Sequence, residues 1–225
     1  MQKKIEIEFK WAVTSSRDFS HFLNIIKEAG AKASRAKNNP IADYYIDTLD
    51  QQWGQSRIAC RLRRVSQKWE LTLKTRNQLK NGLAKRVEMN IAVPCKAKYP
   101  GIINYCRNSL FKTPFKDDNF VHLFTIFNHR TTRHVQITSG THAELCFDRV
   151  KIIRKNQVIK MMEIELEFLK GRTKEFDDFT RRMTRLSNLK PSKQSKVKTA
   201  LNGFHLEIPE NRRAKGLTID QLIRS

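Results

Sequence analysis

The chain predicts an α+β fold in which antiparallel strands close into a barrel with a charged lumen, its outer face packed under helices. Three observations carry this expectation. Glu6, Glu8 and Lys10 alternate with Ile5, Ile7, Phe9 and Trp11, and because side chains in a strand point to opposite faces, the charges share one side and the apolar residues the other. The same alternation returns in five later strands. Finally, the polar face is almost purely Arg, Lys, Glu and Asp, whereas a sheet with one face in water mixes in Ser, Thr, Asn and Gln. Charges of both signs lining one enclosed space are costly to desolvate unless they pair or hold an ion. A purely structural protein has no use for that arrangement.

The elements follow in order. Residues 3–11 form the first strand. Residues 17–30 carry Phe19, Phe22, Leu23, Ile26 and Ala29 at helical spacing and stop at Gly30, a usual helix terminator. Residues 43–49 read as a strand running into the loop 50–54. Residues 58–65 and 69–76 read as a hairpin around Ser66-Gln67-Lys68. In this hairpin Arg57, Arg61 and Arg63 oppose Ile58, Cys60 and Leu62, while Glu70, Thr72, Lys74 and Arg76 oppose Trp69, Leu71 and Leu73. Residues 85–93 form another strand, with Arg86, Glu88 and Asn90 on one face, closed by Pro94. Residues 96–111 are expected to be helical. Four strands in meander order follow over 120–130, 133–138, 142–154 and 158–169. Glu144 and Asp148 oppose Leu145 and Phe147, and Glu163, Glu165 and Glu167 oppose Ile164, Leu166 and Phe168. Helices are expected over 173–189 and 194–203. Residues 205–225 read as a polar tail, residues 1–204 as one domain.

Composition sets the limits. A chain of 225 residues with 39% hydrophobic content can bury one sizeable core. No stretch approaches the roughly 18 apolar residues of a membrane span, and no secretory leader is evident, so no membrane partner and a cytoplasmic location are expected. Cys60, Cys95, Cys106 and Cys146 form no CxxC pair and read as reduced thiols. The six histidines lack zinc-site spacing. The net charge of +22 predicts attraction to a polyanion.

The charged motifs, in their order, resemble the CYTH superfamily of triphosphate tunnel metalloenzymes. Glu6, Glu8 and Lys10 match its ExExK strand, Tyr45-Ile46-Asp47-Thr48 its Y-x-D-T strand, and Arg61-Leu62-Arg63 its R-x-R. The strand ending in Lys74, Arg86-Val87-Glu88, Arg130, Glu144, Asp148, the Glu163/Glu165/Glu167 run and Ser195-Lys196 fall in the expected sequence. The resemblance covers residues 3 to about 204 and looks closest to the bacterial inorganic triphosphatases, which often carry a second, helical domain. It implies an eight-stranded antiparallel tunnel that hydrolyses or cyclises triphosphate compounds with Mg²⁺ or Mn²⁺.

The chemistry suits these residue types. A triphosphate carries roughly four to five negative charges, and its transfer needs positioning and neutralisation more than covalent help. Arg57, Arg61, Arg63, Lys74, Arg86, Arg130 and Lys196 are assigned to gripping phosphates, since guanidinium groups donate paired hydrogen bonds to phosphate oxygens. Carboxylates would repel this substrate unless a divalent cation stands between. Glu6, Glu8, Glu163 and Glu165, with Glu167 as an alternative to Glu163, are therefore expected as its oxygen ligands. Lys10 is assigned an orienting role, and Glu88, Glu144 and Asp148 supporting roles beside the cations.

The expected substrate is inorganic triphosphate. The same tunnel could serve RNA 5′-triphosphate, ATP cyclisation, or mere binding of a polyphosphate or nucleotide. Thiamine triphosphate fits less well, because the resemblance implies that the enzymes acting on it carry an aromatic residue just ahead of the paired arginines, where Ala59 stands here. The named lumen charges nearly cancel, so essentially all of the +22 lies outside. A second, external surface for RNA or long polyphosphate is therefore expected, near residues 190–198 or 212–215.

Overall fold

The computed structural model describes residues 1–75, 78–80, 83–94, 98–112, 119–206 and 218–223. In chain order the strands are β1 (Gln2–Val13), β2 (Lys32–Ala33), β3 (Lys37–Thr48), β4 (Ile58–Val65), β5 (Lys68–Thr75), β6 (Gln78–Lys80), β7 (Leu83–Val93), β8 (Phe120–Gln136), β9 (His142–Arg154) and β10 (Gln157–Lys170). The helices are α1 (Ser16–Glu28), α2 (Gln52–Gln55), α3 (Tyr99–Ser109), α4 (Thr173–Ser187), α5 (Lys196–Gly203) and α6 (Ile219–Leu222). Strands β1-β10-β9-β8-β3-β4-β5-β7 pair antiparallel in that order, and β7 returns to β1, closing an eight-stranded barrel. The short β2 and β6 extend β8 and β7.

Alternation sends one face of each strand inward and the other beneath helices. On one flank Phe9, Trp11, Phe147, Ile164 and Leu166 pack against Phe19, Phe22 and Ile26 of α1 and Phe176 and Met183 of α4. On the other, Leu62, Leu71, Leu73 and Met89 pack against Trp53 of α2 and Ile102 and Cys106 of α3. Burying a side chain of this size contributes about 2–3 kcal/mol. Helix α1 begins where the Asp18 carboxylate accepts hydrogen bonds from the Thr14 and Ser15 amides, each 3.0 Å, and ends at Gly30, whose φ of 77° suits glycine.

Four features depart from the sequence reading. Residues 120–136 are one strand rather than two, because Arg130 to Thr132 pair with β3 on one side and β9 on the other. β3 starts at Lys37, well before residue 43. Helix α5 does not lie on the outside: Ala200, Phe204, Val197 and Leu201 pack on Tyr45, Phe124, Ile126, Val150 and Ile152, whose positions share the inward face of their strands. The final stretch finds a partner where none was expected. Ile219, Leu222 and Ile223 join the core under α3, and Ile223 pairs with Phe111. The expected strand end Arg76, Cys95 and the segment 212–215 lie outside the described residues.

Candidate functional site

The lumen is a cavity of about 1490 Å³ crossed by a belt of ionised side chains. Its walls hold Glu6, Glu8, Lys10, Arg57, Arg61, Arg63, Lys74, Arg86, Glu88, Arg130, Glu144, Glu165, Glu167 and Lys196, so barrel closure brings together the charges read from separate strands. Register explains the juxtaposition: Glu6 lies opposite Arg86, Glu8 opposite Glu167, Lys10 opposite Glu165, and Arg130 opposite Asp148. Glu163 and Asp148 sit in the wall behind, each fully buried.

Most of these carboxylates have cationic company, Glu144 instead accepting from the Cys146 thiol. Arg86 and Lys74 donate to Glu6, the lysine at 3.0 Å, and Arg86 lies 2.8 Å from Glu8. Lys10 donates to Glu165, and Lys74 pairs with Glu88. Arg130 grips Asp148 with two bonds of 2.8 and 2.6 Å and also reaches Glu165. Lys196, from the first turn of α5, spans Asp148 at 2.8 Å, Glu163, and Glu165 at 2.9 Å. The sequence reading missed two partners. Asp43 accepts from Arg63 at 2.7 and 2.8 Å and from Arg61 at 3.3 Å, and Lys4 holds Glu167 at 2.7 Å. The signal for Asp43 was its place two residues before Tyr45 and four before Asp47, on one face. Lys4 stands two residues before Glu6 in the same way.

Electrostatics follow from this pairing. Burial alone would raise the Glu6, Glu165 and Asp43 carboxyls. The neighbouring cations win and hold all three well below the usual range. Burial pulls Lys74 down to about 8, helped by Arg86 and Arg61, and Lys196 to about 7, against the pull of Asp148. Asp47, from the Y-x-D-T segment, has a structural role: it accepts the backbone amides of Thr48, Trp53 and Gly54 at 2.8–3.1 Å, anchoring α2. Its burial pushes the carboxyl up to about 6.

One acidic group has the geometry of a cation site among the described residues. Carboxylate oxygens of Asp148, Glu163 and Glu165 lie within 4.8 Å of one another, and Glu163 Oε2 is buried without a hydrogen-bond partner. Three hard oxygen donors suit Mg²⁺ or Mn²⁺. This cluster differs from the set expected from sequence. Glu163 and Glu165 are common to both and Asp148 joins them, with Lys196 reaching all three; Glu167 is held by Lys4, and Glu6 and Glu8 face them, paired with Arg86.

The two ends of the cavity differ in sign. Near α5 it is lined by Arg57, Lys193, Lys198 and His205; near the start of β1 it is lined by Glu70, Glu144 and Glu167, with Lys4 and Arg63 as cations beside them.

A closed barrel with a belt of paired charges along its lumen defines a tunnel protein. Residues 4–201 match the CYTH domain, and the chain belongs to that family. No curated protein sequence matches it significantly. Among solved structures it is similar to a putative adenylyl cyclase from Hippeastrum described as having dominant triphosphatase activity, with TM-score 0.63 and 17% identity over 88% of this chain and 96% of that one. A putative adenylate cyclase from Bacillus halodurans gives TM-score 0.55 and 20% identity over 88% and 97%. A Pyrococcus horikoshii protein gives 0.54 and 14% over 88% and 99%. At these identities the likeness is one of fold.

Proposed function

We propose that this protein is a metal-dependent triphosphatase that cleaves inorganic triphosphate to pyrophosphate and phosphate inside its tunnel. The observation that carries the reading is the buried carboxylate cluster of Asp148, Glu163 and Glu165 set among Arg61, Arg63, Arg86, Arg130, Lys74 and Lys196. A receptor for anions alone has no need of buried carboxylates, which repel its ligand; a hydrolase that holds a cation does. The Hippeastrum protein's described activity agrees with this reading.

In this reading the arginines, Lys74 and Lys196 exchange their present carboxylate partners for phosphate oxygens, and Arg57 meets the chain at the rim. The salt bridges within the tunnel hold the cations extended and aimed before substrate arrives. That preorganisation is the main source of rate in phosphoryl transfer. Glu163 and Glu165, with Asp148 and with Glu6 and Glu8 opposite, would hold Mg²⁺ or Mn²⁺. The bound ion would neutralise phosphate charge and make a coordinated water more acidic. Lys10 orients Glu8 and Glu165, while Glu88 and Glu144 position their neighbours. The buried free thiols of Cys60 and Cys146 suit a reducing cytoplasm.

A second reading draws support from the cavity volume, which exceeds the needs of a bare triphosphate and leaves room for a nucleoside. Release of phosphate and pyrophosphate from inorganic triphosphate, ATP, thiamine triphosphate and triphosphorylated RNA, with each metal, separates the readings. Inorganic triphosphate is expected to give the highest kcat/KM. Cyclic nucleotide formation from ATP would move the assignment to a cyclase. Glu8→Ala and Arg61→Ala are each expected to lower turnover by about 100-fold or more. Near wild-type rates in both would overturn the site.

A further inference from the structure

Lys196 points into the tunnel, and Lys193 and Lys198 line its rim. Counting Lys4 and Asp43 with the lumen adds one charge of each sign, so the surplus still lies outside the barrel.

Part of that surplus occupies a sector of the outer wall at the margin of the α1/α4 cluster, which it meets at Met162 and through Arg149 over Phe19. Strand register lines up one row of outward side chains across five strands: Arg64 on β4, Ala42 on β3, Phe127 on β8, Lys151 on β9 and Lys160 on β10. A second row beside it runs through Pro40, His129, Arg149 and Met162. Arg64, His129, Arg149, Lys151 and Lys160 are exposed, and Phe127 shows 41% of its surface to solvent. Neither row contains a carboxylate. A shallow groove of about 260 Å³ runs beside the phenyl ring, lined by Pro40, Ala42, Arg64, Phe127 and His129. Arg149 is braced over the ring of Phe19 at 4.9 Å, which limits its freedom to collapse.

An exposed aromatic ring on a sheet, with Lys151 one strand away on one side and Arg64 two strands away on the other, is the chemistry that holds single-stranded nucleic acid. The ring stacks on a base and the cations follow the backbone. Inorganic polyphosphate would use the cations and leave the ring idle. We propose that this outer face of β3, β8, β9 and β10 binds single-stranded RNA, with a base on Phe127 and phosphates on Arg64, Lys151 and Lys160.

The surface is independent of the tunnel, and the test keeps the two apart. The probe is a fluorescent 12-nucleotide oligouridine with a 5′-hydroxyl, which offers no triphosphate, titrated at low salt by anisotropy with inorganic triphosphate in excess. Wild type is expected to bind, and Phe127→Ala to bind about fivefold or more weakly, with an unchanged melting temperature. Phe127→Tyr should retain affinity. The double variant Lys151→Gln/Lys160→Gln should lower the slope of log affinity against log salt by roughly 1.4. Equal affinity of wild type and Phe127→Ala would overturn the proposal in favour of a general polyanion surface. So would inorganic polyphosphate that binds more tightly than the oligonucleotide. Absence of binding at low salt would overturn it outright.

Discussion

Asp43 sits between two arginines that the proposed reaction needs, and its acid–base behaviour is a sensitive report on them. Burial by itself would raise its carboxyl, but Arg61 and Arg63 hold it well below the ordinary 3.8. The ionised form is thus favoured more in the folded chain than in the unfolded one. Its contribution to stability is complete above about pH 4 and is lost as pH falls through the depressed value. Thermal melts from pH 5 to pH 2 should show wild type losing stability more steeply than Asp43→Asn. Parallel acid limbs would mean the pairing is weak. At neutral pH the same variant leaves Arg63 without its bidentate partner and is expected to be about 3 kcal/mol less stable, measured by denaturant unfolding. Residue-level chemistry of this kind was largely legible: the alternation of Glu6, Glu8 and Lys10, and of Arg61 and Arg63, marks the inward face directly. Asp43 escaped because it stood at the first position of the expected strand, where one residue sets no pattern.

At the scale of elements, the turn from β10 into α4 depends on Gly171. Its φ is 109°, and a Cβ there would lie 2.5 Å from the Thr141 backbone and 2.6 Å from the Gly140 carbonyl oxygen. Neither obstacle is a side chain that can swing aside. Gly171→Ala is therefore expected to cost at least about 2 kcal/mol, read from the denaturation midpoint. A shift below a few tenths of this would show that the turn adjusts freely. Sequence periodicity located α5 well, since Val197, Ala200, Leu201 and Phe204 repeat at helical spacing. It could not say which surface the apolar stripe would meet. The stripe meets the lumen, because the inward positions of β3, β8 and β9 turn apolar at Tyr45, Ile126 and Val150. The supposed break near residue 131 has a similar origin. His129 to Arg133 reads as a polar interruption, yet in a central strand both edges are satisfied by neighbours, and β8 continues.

For the whole molecule, closure was legible only through the charged inner face, and the pairings that achieve it were not. β1 pairs with β10 and β7 at once, contacts far apart in the chain, and such pairings leave no local trace. The end of the chain is equally non-local. Residues 218–223 bury Ile219, Leu222 and Ile223, and Lys3 meets Asp220 at 2.7 Å. Removing residues 218–225 should lower the melting temperature by several degrees and leave the KM for triphosphate unchanged, because the lost contacts lie under α3 rather than in the lumen. An unaltered melting temperature would show that this segment adds little to the core.

The opposite sign of the two tunnel ends gives the barrel a direction. In the proposed reaction Arg57, Lys193 and Lys198 would draw anions toward the α5 side of the cavity, whereas Glu70, Glu144 and Glu167 would favour divalent cations on the other. Phosphate chain and metal would then be guided to opposite sides of the lumen by long-range field rather than by chance collision. Capture, and not chemistry, is the stage that such guidance governs. Added salt should accordingly depress kcat/KM while kcat holds steady, and charge reversal at Lys198 should reproduce that pattern without added salt.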